Sequence, residues 1–232
     1  MNSIISAVNL SKSYGNVSAL SNVTLELPAG GVIGLLGPNG SGKSTFIKLA
    51  MGMLQPTEGK IFIDGHQPGV ESKKITAYLP DTNFLTEWMT VGQMMNYCAD
   101  FFADFSKEKA NSMLDRLGIS PKQRIRTLSK GNKEKVGLIL TMARNAKLYI
   151  LDEPIAGVDP AARDYILDTV LTNRAPDSTI LLCTHLIYDV QSVLSQAVFL
   201  FNGRIALNAN VKDICAQEGK PLDQIFKEMF RW

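Results

Sequence analysis

Residues Gly37 to Thr45 read Gly-Pro-Asn-Gly-Ser-Gly-Lys-Ser-Thr, a full match to the pattern G-x-x-x-x-G-K-[ST]. An apolar run, Gly31 to Leu36, precedes it and reads as a buried strand, and Phe46 to Met53 follows and reads as a helix. Strand, glycine loop and helix in this order make a phosphate-binding turn of an α/β sheet. Gly37, Gly40 and Gly42 let the backbone bend around Pro38, Asn39 and Ser41 and turn its N–H groups toward one centre. The helix opening near Lys43 adds the positive end of its dipole. Lys43 is placed to reach the β- and γ-phosphates of a nucleotide. The Ser44 hydroxyl is placed to ligate Mg²⁺, and Thr45 completes the pattern. The competing reading is a glycine turn that holds no ligand.

Composition narrows the classes. The chain has 232 residues, which suits one large α/β domain spanning 1–232. Its formal net charge is +2 and its basic residues form no long run, so no nucleic-acid partner is expected. Cys98, Cys183 and Cys215 are far apart, with no metal spacing, and read as reduced thiols of a cytoplasmic protein. No secretory leader is visible at Met1 to Leu10. No apolar run approaches the roughly 20 residues that span a bilayer, so any spanning would fall to another chain.

Short strands fill the first third: Ile4 to Asn9, Val23 to Leu27, Val32 to Leu36, Lys60 to Ile63 and Ile75 to Leu79. The middle turns helical at Val91 to Ala103, Lys107 to Leu117 and Lys130 to Asn145, with no strand between. Strands return at Leu148 to Leu151, Thr179 to Cys183 and Ala197 to Phe201, with a helix at Ala161 to Thr172. This alternation predicts a mostly parallel sheet with crossover helices, and an inserted α-helical subdomain over residues 83–146. After a strand at Gly203 to Leu207, two helices are expected, Val211 to Gln217 and Leu222 to Phe230, with no further regulatory domain. Ile225, Phe226, Met229 and Phe230 form an apolar stripe that either packs back on the domain or meets a partner.

Leu148 to Glu153 is an apolar strand ending in two acids. Ligands of α/β sheets bind at that strand edge. Asp152 is placed to hold Mg²⁺, directly or through water, and Glu153 to polarise an attacking water. His185 follows another apolar strand and projects from the same edge, where an imidazole could contact a γ-phosphate. The plain alternatives are a strand ending at a polar turn and a structural histidine. His66 reads as an ordinary surface residue.

These elements, in this order, resemble the ATP-binding subunit of ABC transporters over nearly the whole chain. Leu128-Ser129-Lys130-Gly131-Asn132 is similar to the family signature, usually Leu-Ser-Gly-Gly-Gln. The resemblance implies an ABC-type ATPase: a P-loop NTPase core with a mostly parallel sheet, an N-terminal antiparallel β portion and the helical subdomain carrying the signature. It implies that Ser129 and Gly131 cap the γ-phosphate of ATP held by a second subunit, in a homodimer or a heterodimer. It further implies that Tyr14 stacks on adenine, against a core-tyrosine reading, and that Asp159 lies in a dimer-contact loop. His185 matches the family's switch histidine. Lys130 and Asn132 depart from the signature, Ala156 replaces a common Ser, and Asp81 stands where a Gln touches Mg²⁺ and water. Lys130 is similar to what bacterial exporters of peptides or antibiotics carry. The expectation is therefore a Mg²⁺-dependent ATPase on the inner face of the cell membrane that drives a membrane-spanning permease, as an exporter. The alternatives are a soluble ABC-type ATPase acting on ribosome or DNA, and a regulatory subunit with low turnover.

Overall fold

The fold is that of a computed structural model describing residues 3–156 and 160–230. The chain opens with β1 (Ser3–Tyr14), β2 (Val17–Pro28), β3 (Gly31–Leu36), α1 (Lys43–Ala50), β4 (Glu58–Ile63), α2 (Val70–Lys74) and β5 (Thr76–Leu79). Three longer helices follow, α3 (Val91–Phe101), α4 (Lys107–Arg116) and α5 (Lys130–Met142), with a 3₁₀ turn at Ile125–Thr127. Then come β6 (Leu148–Asp152), α6 (Pro160–Asn173), β7 (Thr179–Thr184), α7 (Ile187–Val190), β8 (Gln196–Phe201) and β9 (Arg204–Asn210). The helices α8 (Val211–Glu218) and α9 (Leu222–Met229) end the described chain.

The strands form an antiparallel sheet in the order β2-β1-β4 and a six-stranded sheet in the order β5-β6-β7-β3-β8-β9. In the second sheet every pair is parallel except β8 with β9. The α/β class, the antiparallel N-terminal portion and the mostly parallel sheet are as expected. The central strands are apolar on both faces because helices or the other sheet cover each side. Alternation divides them cleanly. Ile33, Leu35, Leu148, Ile150 and Leu181 join α1 (Phe46, Ile47) and the antiparallel sheet (Leu10, Leu25) in one cluster. Val32, Leu36, Tyr149, Leu151, Ile180 and Leu182 join the helices of the middle segment in the other.

Side chains start those helices. Thr90 and Gln93 form a reciprocal capping box on α3. The Ser106 hydroxyl accepts the Lys109 N–H at 3.2 Å to cap α4, and Ser129 accepts the Asn132 N–H at 3.3 Å to cap α5. From Val136 to Met142 every residue of α5 is buried, because the helix runs between its neighbours and the sheet. The apolar stripe of α9 packs back on the domain: Phe226 meets Phe199 edge-on at 5.1 Å and Phe230 stacks on Phe201 at 4.7 Å, while Met229 stays exposed. Sequence periodicity misses α2, the 3₁₀ turn and α7, each too short to show a helical repeat.

Tyr149 is fully buried, and its hydroxyl donates to the Arg144 carbonyl at 2.7 Å and accepts the Ala175 N–H at 3.1 Å. Tyr149→Phe orphans the Ala175 N–H and leaves the Arg144 carbonyl only the Lys109 ammonium at 3.5 Å. It should destabilise the fold by about 1–3 kcal/mol, read as a lower urea midpoint with an unchanged slope.

Candidate active site at the sheet edge

Parallel register builds the site. Leu36 of β3 lies opposite Thr184 of β7, and Asp152 of β6 lies opposite Cys183. Leu79 of β5 lies opposite Leu151. Gly37, Glu153, His185 and Asp81 therefore all follow the C-terminal ends of neighbouring strands, the edge where α/β sheets bind ligands.

The glycine loop is shaped by close approach. A Cβ at Gly37 would lie 2.2 Å from the Leu200 carbonyl oxygen and 2.6 Å from Ser41 Oγ, and one at Gly42 would lie 2.6 Å from the Ala19 carbonyl oxygen. Gly42 also has φ +109, left-handed backbone that it supplies as the residue capping α1. Pro38 accepts the Ser41 N–H at 3.2 Å, while Asn39 and Gly40 are exposed at the tip. Lys43 is buried, its ammonium donating to the Gly37 carbonyl at 2.8 Å and the Pro38 carbonyl at 3.1 Å. Ser44 is exposed and Thr45 half-buried in the first turn of α1.

Asp152 is 3% exposed, and its Oδ1 has no hydrogen-bond partner among the described residues. Burial pushes its carboxyl from 3.8 up to about 6, with Asp81 and Glu153 adding to the rise and Lys43 and Lys48 opposing it. An unpartnered buried carboxylate oxygen is costly unless something positive completes it. Glu153 holds φ +50, unusual for a residue with a side chain. Its N–H donates to the Cys183 carbonyl at 2.8 Å. One carboxylate oxygen accepts from the Thr184 hydroxyl at 2.9 Å and the other from His185 Nδ1 at 2.9 Å. Thr184 is wholly buried and also accepts the Leu186 N–H at 3.1 Å. Its part in orienting Glu153 went unread in the sequence. The only signal was a hydroxyl closing an apolar strand just before His185.

Asp81 is exposed in the loop after β5. It lines a cavity of about 340 Å³ with Asp152, Glu153, Phe84, Gly137 and Lys130. Among the described residues no group of three or more His, Cys, Asp or Glu side chains could hold a metal. Tyr14 ends β1 and is 48% exposed, so it is not a core tyrosine. Ser129, Lys130 and Gly131 form the exposed N-terminal turn of α5. A Cβ at Gly131 would meet nothing within 4 Å, so no packing in this chain demands glycine there. Asp159 lies outside the described residues.

The family described as ABC transporter matches residues 20–156. The chain is 31% identical over 98% of its length, and 71% of the relative's, to "Methionine import ATP-binding protein MetN 3" of Shouchella clausii (strain KSM-K16). It is 28% identical over 86% of its length, and 87% of the relative's, to "Lantibiotic transport ATP-binding protein SrtF" of Streptococcus pyogenes. A solved structure titled "Structure of ATP binding subunit of ABC transporter" superposes with a TM-score of 0.86 at 30% identity, covering 98% of this chain and 100% of that one.

Two outcomes follow from the geometry. On the motif's reading as a phosphate-binding loop, Gly37→Ala should lower ATP affinity by about tenfold or more, because a displaced loop would lose charge-assisted hydrogen bonds worth about 1.5–3 kcal/mol each, measured by titration calorimetry. For Asp152 the folded carboxyl holds its proton more tightly than the unfolded one, so its contribution to stability is full below pH 3.8 and lost as pH rises through about 6. Asp152→Asn should therefore raise Tm at pH 7.5 by about 2–4 °C per kcal/mol regained, and the gain should shrink toward pH 5. An equal gain at both pH values would contradict this.

Proposed function

The chain belongs to the ABC transporter family, whose ATP-binding subunits hydrolyse ATP, and from that premise we propose that Glu153 is the general base of this hydrolysis. The observation that carries the proposal is the Glu153 carboxylate fixed by Thr184 and His185 at the sheet edge, beside the unpartnered oxygen of Asp152. Lys43 and the N–H groups of residues 37–45 hold the phosphates, and Tyr14 stacks on the adenine. Glu153 takes a proton from the attacking water while His185, through Nδ1, holds the carboxylate's orientation and presents its other ring edge to the γ-phosphate. In this reading residues 1–232 are one ATPase domain and 83–146 its helical subdomain.

The residues fit Mg²⁺. A buried aspartate oxygen without a partner among the described residues suits a hard cation that is held chiefly by substrate phosphates and water. Asp152, Ser44 and Asp81 would hold it, and when bound it would neutralise charge developing on the phosphates.

ABC ATP-binding subunits dimerise and work with a membrane permease. Among the described residues no helix is long and apolar enough to cross a membrane. We infer that two such subunits, as a homodimer or with a related chain, sandwich ATP between the loop at 37–45 of one and Ser129 and Gly131 of the other. The exposed signature turn, with open space at Gly131, supports this. The permease then places the chain on the inner face of the cell membrane. Export is supported by Lys130, which resembles what bacterial exporters of peptides or antibiotics carry; the name of MetN 3 supports import, and ATP-driven uptake into inside-out vesicles carrying the copurified permease separates the two.

Glu153→Gln should reduce turnover by about 10³-fold and accumulate an ATP-dependent dimer on size exclusion. Wild-type turnover no faster than that of the variant would overturn the role of Glu153.

A further inference from the structure

Arg144 lies two residues past the end of α5, and its side chain is 5% exposed. All five guanidinium N–H donors find acceptors, on two different parts of the fold. Nε and Nη2 donate to the Asp104 carboxylate at 2.9 and 3.1 Å. Nη1 donates to the Thr76 carbonyl at 2.6 Å and Nη2 to the Lys74 carbonyl at 2.7 Å, with the Lys73 carbonyl 3.5 and 3.4 Å from the two nitrogens. The Phe102 ring lies 4.0 Å from the guanidinium carbon. Asp104 and Phe102 belong to the corner between α3 and α4, whereas Lys73, Lys74 and Thr76 end α2 and start β5.

The backbone reinforces the same junction. The Asn145 N–H donates to the Asp104 carbonyl at 3.0 Å and the Ser106 N–H to the Ala143 carbonyl at 2.9 Å, so the α3–α4 corner is stitched to the end of α5. The N–H groups of Lys147 and Leu148 both donate to the Ile75 carbonyl. At its other end α5 carries the Lys133–Glu87 ion pair at 2.6 Å, whose Glu87 is 58% exposed, and the segment leading into it is held by the Ile125 N–H on the Met89 carbonyl and the Arg126 N–H on the Glu87 carbonyl. That pair is the weaker attachment, because water screens it. The buried hub is the polar attachment of α5 that also reaches β5, so a change there alters how the helix, and the signature turn at its far end, stands against the sheet.

Helix length gives the consequence. From the hub at Arg144 back to Ser129, α5 is about 20 Å long, so a 10° change at the hub moves the signature turn by about 3 Å. Such a shift takes a phosphate-capping turn out of hydrogen-bond reach.

We infer that Arg144 is a positioning residue for the ATPase reaction. It sets the angle between α5 and the sheet, and through it where Ser129 and Gly131 meet the nucleotide of a second subunit. The inference rests on the sandwich reading above. Only a planar fork can divide donors between Asp104 and three carbonyls; a lysine ammonium cannot.

The test uses Arg144→Lys and, because it leaves the guanidinium in place, Asp104→Asn, each alone and with Glu153→Gln. Affinity for a fluorescent ATP analogue should stay within about twofold for either variant, since neither touches the glycine loop, and the ATP-dependent dimer of the double variants should dissociate about tenfold more readily. Steady-state kcat should fall by about the same factor while KM for ATP changes by less than about twofold. A dimer as tight as that of Glu153→Gln alone, with only Tm lowered, would show Arg144 to be merely structural and overturn the inference. A parallel loss of nucleotide affinity would overturn it too. If Arg144→Lys does not fold, Asp104→Asn decides on the same readouts. Should Glu153→Gln form no dimer with ATP, the sandwich reading falls and takes this inference with it.

Discussion

Parallel pairing of β6, β7 and β3 is the constraint on which the rest depends. With Leu36 opposite Thr184 and Asp152 opposite Cys183, the strands end together and their first loop residues converge. A slip of one residue would turn every side chain of a strand to the other face. It would send Ile33 and Leu35 away from α1, and Asp152 away from the edge it shares with Lys43. The two hydrophobic clusters fed by alternate residues of these strands therefore hold the geometry of the candidate site as well as the fold.

The site is built at the expense of local stability. Asp152 keeps a buried oxygen without a partner among the described residues, and Glu153 keeps a left-handed backbone. Each would be relieved by a plainer residue, and each places a charge where a nucleotide and its cation would need one. Thr184 shows how the neighbourhood compensates. Its hydroxyl satisfies both the Glu153 carboxylate and the Leu186 N–H, so the strained glutamate is held in one orientation.

The helices between β5 and β6 answer to a different physics. Their shared core is apolar and rich in methionine, with Met94, Met95 and Met113 among its members, and apolar contacts of that kind are not directional. Direction comes from the polar junction at Arg144, where one guanidinium reaches both the α3–α4 corner and the start of β5. Apolar packing thus keeps these helices together, while hydrogen bonds decide how they stand against the sheet.

Much of this could be read before any coordinates. The pattern at 37–45 between an apolar strand and a helix, the acids closing Leu148 to Glu153, and the return of strand patterns after a helical middle predict the element order and the mostly parallel sheet. They work because hydrophobic period and glycine placement are local properties of a chain. Short elements such as α2 and α7 escape that logic, having too few residues for a period to emerge. Whether Tyr14 was core or surface, how Thr184 braces Glu153, and that Asp104 and Arg144, 40 residues apart, share a salt bridge were decided by the tertiary structure alone. By itself the sequence determined which residues carry charge and where the backbone can bend. Only the folded chain determined which charges meet, because that depends on strand register and helix packing between segments far apart in sequence.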